Sequence, residues 1–254
     1  MVLDRAVERS LLEHKPDVAA IIGFLFVLVG FLSALFMFSA AISVAMIGLS
    51  SMLMVPYVMK IVKPDEPSYA SVFGKRNKSI AFYGFLFLGM AVAYTLLFGV
   101  LNPALLERTF GVQLDAISVT ISGRFWSPGI YLGIVANNLL IVCIAILLSF
   151  VYGTGAVFIL NYNASIAGVV YGSSLNALLW GGIPLFAHPL AYLPHTIIEI
   201  TAYLLAALCG NIITKPMRGK RSPIPRDAAL LLGLSLGLIF LGGWVELVVP
   251  PLLS

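Results

Sequence analysis

LPHTIIEITAYLLAALCG, residues 193 to 210, is an otherwise apolar run of membrane-helix length holding Glu199, the only acidic residue between Asp115 and Asp227. Pro194 and His195 open it. Glu199 follows His195 by four residues, so in a helix both side chains project from one face about a turn apart. A carboxylate in hydrocarbon costs about 3 kcal/mol on even the lenient scales. Glu199 is therefore expected to face protein or a water-filled cleft, where a proton, a hydrogen bond or a cation compensates it. Two readings stay open: a functional site, and a structural clamp that bonds a neighbouring helix.

The remainder of the chain sets this stretch in a membrane. Of 254 residues, 60% are hydrophobic and 10% charged, with a mean hydropathy of +1.03, whereas an ordinary soluble domain is about 25% charged. Uncharged runs of about 20 residues point to helices, because a barrel shows ten-residue alternation instead. The two cysteines, Cys143 and Cys209, lie in apolar runs without CxxC spacing, so they read as small buried hydrophobes. The net charge of +4 comes from short basic loops and reports orientation and contact with anionic lipid rather than nucleic-acid binding. A cleavable signal peptide is not expected.

The expected fold is all-α, a polytopic transmembrane helix bundle forming one domain over residues 1 to 254, with about seven spans and an irregular or broken fifth. Residues 1 to 17 suggest a short interfacial helix. Spans are expected over 18 to 38 and 41 to 59 as an antiparallel hairpin, then over 79 to 101, 129 to 150, 156 to 179, 193 to 213 and 227 to 249. Pro56 is expected to bend or end the second span, and Pro250 and Pro251 to end the seventh. Residues 102 to 128 are too polar to cross and read as a surface loop, with a short amphipathic helix over 103 to 110. The fifth span carries Asn161, Asn163, Ser165, Gly168, Gly172, Ser173, Ser174 and Asn176, hence the expected break, with Asn161 and Asn163 as caps or turn formers.

Basic residues number three before the first span, five between the second and third, two between the third and fourth, five between the sixth and seventh, and none after it. By the positive-inside rule this predicts a cytoplasmic amino terminus and an outer carboxyl terminus in a multi-pass cell-membrane protein.

Asn137 and Asn138 lie about 12 Å inside the fourth span, and Glu199 about 9 Å inside the sixth, at 1.5 Å per residue. An asparagine amide is the natural donor to a buried carboxylate, and two successive asparagines cannot share one helix face. Asn137, Asn138, His195 and Glu199 are therefore the expected polar cluster, as interhelical glue or as a substrate or ion site. Gly168-x-x-x-Gly172 and Gly233-x-x-x-Gly237 are candidates for close helix contact. His188, His195 and Glu199 form a candidate zinc set of two histidines and one carboxylate. HExxH, Walker and Rossmann patterns are missing from the sequence.

Asn137-Asn138, the Gly153/Gly155 pair, LNYNASIAGVVYG and Pro194-His195 with Glu199 together resemble the signature of the stage II sporulation protein M family, over roughly residues 130 to 213. The family usually has glycine after the histidine; this chain has Thr196. The resemblance implies an integral membrane scaffold, which in sporulating bacteria holds peptidoglycan-degrading partners at the engulfing septum. Relatives also occur in organisms without sporulation, where no role is assigned. Three function classes follow: a non-enzymatic scaffold or assembly factor with a membrane or extracytoplasmic partner, a transporter or channel for a small solute, ion or lipid, and a zinc-dependent membrane hydrolase. The lipid bilayer is the expected environment, self-association into a homo-oligomer is compatible with it, and nucleic acid is not an expected partner.

Overall fold

The computed structural model describes residues 17–61, 78–121, 128–152, 155–185, 189–217 and 226–253. Among them the chain is all-α: α1 Val18–Met37, α2 Ile42–Ile61, α3 Lys78–Val100, α4 Pro103–Ile121, α5 Pro128–Tyr152, α6 Ala156–Trp180, α7 Leu193–Met217 and α8 Arg226–Leu253, with a 3-10 turn at Pro189–Tyr192. Seven of these, all but α4, are long and apolar enough to cross a membrane. The expected interfacial helix over residues 1 to 17 lies, except for Asp17, outside the described residues.

The helices pack as two compact units. The first contains α1 to α4 and α6 from Leu160 onward. Here α1 packs on α2 and on α3. Glycine permits the close approach to α3: a Cβ on Gly23 would stand 2.5 Å from the Leu86 carbonyl oxygen, and one on Gly89 would overlap the Ala20 backbone. Without a hydrophobic drive between helices in lipid, such backbone proximity is how van der Waals contact holds them. Gly168 and Gly172 likewise seat Tyr94, Thr95 and Phe98 of α3, as their spacing suggested. A Cβ on Gly233 or Gly237 would meet nothing within 4 Å among the described residues, so these two glycines do not mark a close helix contact there.

Three expectations are corrected here. The fifth span is one continuous helix, α6, rather than an irregular or broken one. Asn161 and Asn176 bond to neighbouring helices instead of breaking their own, while Ser165 and Ser173 donate to carbonyls within α6. Asn161 is completely buried and accepts from Tyr94 Oη at 2.9 Å, while its Nδ2 reaches Ile47 O at 3.0 Å, Ser50 Oγ at 2.7 Å and Ser51 Oγ at 2.9 Å. Asn176 Nδ2 donates to the carbonyls of Phe98, Gly99 and Leu101, groups that the end of α3 leaves without helical partners.

The second correction concerns the stretch after α3. It forms a 19-residue helix, α4, that enters the unit instead of a loop lying on its surface. Phe110, where α4 kinks, is fully buried against Tyr94 and Phe98. Gln113, also fully buried, accepts from Ser43 Oγ at 2.6 Å and donates to Ser165 Oγ at 3.0 Å, so both ends of its amide are satisfied. Arg108 ties the start of α4 to the α1–α2 turn through Ser39 O at 2.8 Å.

The third is that α2 and α8 continue through their prolines, although the candidate span within α8 ends at Val249, as expected. Pro56 sits inside α2, and α8 runs through Pro250 and Pro251 to Leu253. Each proline removes one backbone bond, a loss that membrane helices tolerate where neighbours or water satisfy the freed carbonyl.

The second unit contains α5, α7, α8 and the first turn of α6 through Ile159. Its core joins Val135, Val142 and Ala145 of α5 to Ala202, Tyr203 and Ala206 of α7 and Ile239 of α8. The alanines fall one turn apart and let the helices approach. Ser235 Oγ then donates to Ala202 O at 2.8 Å, and Cys209, buried as expected, donates to Ala228 O at 3.3 Å. Cys143 is instead exposed on α5.

Candidate functional site

The first half of the sixth span carries the candidate site. Asn138 is 4% exposed and donates through Nδ2 to Glu199 Oε1 at 2.5 Å, which links α5 to α7. Its own oxygen accepts from Asn137 Nδ2 at 3.3 Å, so the amide is oriented with its donor toward the carboxyl. The two asparagines divide as helix geometry requires: Asn138 points into the unit and Asn137 out of it.

Glycine makes room for the glutamate. A Cβ on Gly242 would lie 3.0 Å from Glu199 Cγ and 3.6 Å from Oε1, so the side chain rests on bare α8 backbone. The adjacent Gly243 receives Val135, Ile134 and Tyr131 of α5, while Tyr131 Oη donates to Phe240 O at 3.2 Å. The Gly242-Gly243 pair thus lets α8 approach the other two helices at the depth of the carboxyl.

Sequence reasoning missed the next member. Glu246 of α8 is partly buried and close enough to Glu199 for the two carboxyls to interact electrostatically; it also acts on Tyr192. A signal was there to be read. Glu246 is a lone acid in an apolar run, three residues before the expected end of the seventh span, hence about 5 Å deep by the same 1.5 Å rise that placed Glu199.

His195 is 9% exposed, and its Nδ1 is buried with no hydrogen-bond partner. Its ring meets Tyr192 edge-on, with centroids 5.7 Å apart and planes at 79°. Thr196, in the place where the resemblance has glycine, donates to Tyr192 O at 2.7 Å and fastens the 3-10 turn to the first turn of α7. The 3-10 turn that carries Tyr192 packs against both α7 and α8, so this turn, α5, α7 and α8 all contribute to one polar neighbourhood.

For zinc, the described residues supply only His195 and Glu199 of the expected set, since His188 lies outside them. Among the described residues no group of three His, Cys, Asp or Glu is arranged to hold a metal ion. The arrangement that is present, two carboxyls with one amide donor and an unpartnered imidazole, suits acceptance of positive charge or a hydrogen-bond donor. Comparison of the chain with protein-family models, curated proteins and solved structures found no match.

Proposed function

We propose that this polytopic helical membrane protein is a transporter or channel in which the Glu199 and Glu246 carboxyls bind a small monovalent cation, the proton included. One observation carries the reading: Glu199, bonded to Asn138, rests against Gly242, and a second carboxyl, Glu246, follows Gly242 by one turn on the same face of α8. Interhelical glue requires a carboxyl and its donors, which Asn138 and Glu199 already supply. A second acid in the same apolar surround adds desolvation and repulsion, a cost of the kind retained where ions or protons are handled. Positive charge bound between the two relieves both. With the amino terminus cytoplasmic, as the positive-inside rule predicts, the pair lies toward the outer face and α5, α7 and α8 are the helices whose movement passes the ion inward.

Proteoliposomes loaded with a pH-sensitive dye and given proton, sodium or potassium gradients test this reading. Flux is expected for the native protein and is lost in both Glu199→Gln and Glu246→Gln. Native protein without flux of any of the three ions, or unchanged flux in both variants, overturns it.

A scaffold, the role implied by the resemblance to the stage II sporulation protein M family, is the second reading. It draws support from α5, of which only 22% of the span is buried, against 72% for α6. Copurification of a membrane or extracytoplasmic partner under gentle solubilisation favours it.

A further inference from the structure

Asn137 is the one Asn, Gln or charged residue that is exposed within the seven spans, among the described residues. It lies about 12 Å from the outer start of its span at 1.5 Å per residue, a depth at which an unpaired amide is expensive in lipid. Its Nδ2 makes one hydrogen bond, to Asn138, which leaves a second N–H and the carbonyl oxygen to be satisfied.

The residues around it are patterned. Gly133, Asn137, Leu140, Ile144 and Leu147 are all exposed and follow one another at intervals of four, three, four and three. That is the heptad spacing of a left-handed helix pair, with Asn137 and Ile144 at a positions and Leu140 and Leu147 at d. Isoleucine at a with leucine at d favours two strands, and a lone asparagine at a fixes register and stoichiometry. At Gly133 an added Cβ would meet nothing within 4 Å, so a partner backbone can approach there. The exposed face of α1 presents Ile21, Leu25, Val29, Leu32 and Phe36 at a similar spacing but carries no polar side chain, and so needs only lipid.

The geometry points to a two-fold homodimer in which α5 packs against α5 of a second copy, with Asn137 paired to Asn137. The occupant follows from self-complementarity. Two copies inserted in the same orientation are related by an axis along the membrane normal, which brings identical residues together at identical depth. An amide carries both donor and acceptor, so one asparagine satisfies its twin, and the chain from Asn137 through Asn138 to Glu199 ties this contact to the carboxyl pair. The dimer does not rest on the transport reading.

Single-cysteine variants of the full chain, built on Cys143→Ser/Cys209→Ser, test it by disulfide formation in native membranes. Leu140→Cys and Leu147→Cys are expected to cross-link to dimers, and the lipid-facing Leu25→Cys is not. Energy transfer between labelled copies in vesicles at falling protein-to-lipid ratio reads the affinity. Asn137→Leu is expected to weaken dimerisation about three- to thirty-fold, the range for one interhelical polar contact in lipid, and Asn137→Gln to retain it. Cross-linking at Leu25→Cys equal to that at Leu140→Cys, adducts formed only with other proteins, or a dimer indifferent to Asn137→Leu each overturns the inference.

Discussion

Asn138 and Glu199, 61 residues apart in sequence, share the hydrogen bond that joins the fourth and sixth spans. Removing the donor leaves a half-buried carboxyl without its hydrogen bond. Asn138→Leu is expected to cost about 2–3 kcal/mol, the penalty for an unsatisfied buried polar group that can be charged. At the other end, Glu199→Gln keeps a carbonyl oxygen for the Asn138 amide, whereas Glu199→Leu leaves that amide without an acceptor. Equilibrium unfolding in mixed micelles is expected to rank Gln above Leu in stability, and the opposite order defeats the pairing.

Glu246 gives the contrary expectation. Its replacement by Gln removes a like charge beside Glu199 without opening a cavity, so stability is expected to rise by about 0.5–1 kcal/mol, as at other strained functional sites. Thermal unfolding of Glu246→Gln beside the native protein measures this; a clear loss of stability assigns Glu246 a structural role.

In the first unit Asn161 bonds Tyr94 on α3 and Ile47, Ser50 and Ser51 on α2. Asn161→Leu takes one of its side-chain partners from the Tyr94 hydroxyl and crowds three acceptors, and a loss of about 2–4 kcal/mol is expected from the unmade bonds and overpacking. Tyr94→Phe removes one bond cleanly and is expected to cost about 1 kcal/mol. Unfolding of the two single variants and of the double variant checks the coupling, which should make the double less costly than the sum.

Two glycines separate contact from mere composition. Gly89→Ala forces a methyl into the Ala20 backbone, and a loss of about 1–3 kcal/mol is expected from the displaced helices. Gly233→Ala enters open space and should be neutral or stabilising by up to about 1 kcal/mol through helix propensity. The same unfolding assay reads both, and equal effects would contradict the packing of α1 on α3.

Thiols introduced at Lys75 and Lys220 should react from the same side of sealed vesicles, the cytoplasmic one, because each sits in a five-charge basic loop. Labelling from opposite faces overturns the proposed orientation.

The sequence by itself determined the seven spans, since hydrocarbon thickness sets a length and excludes charge, and both constraints act on contiguous residues. It also determined that Glu199 needs a donor and that Asn138 stands at a matching depth, because rise per residue converts position into depth without any knowledge of packing. Tertiary structure alone decided the rest. Whether the polar residues of α6 break the helix or bond its neighbours depends on what lies opposite, and Tyr94, Ser50 and Ser51 are distant in the chain. The burial of α4 is decided in the same way, by Ser43 and Ser165 accommodating Gln113. Glu246 joined Glu199 only when the bare backbone of Gly242 and Gly243 brought α8 against its neighbours: depth is encoded locally, but which helix faces meet is a property of the packed chain.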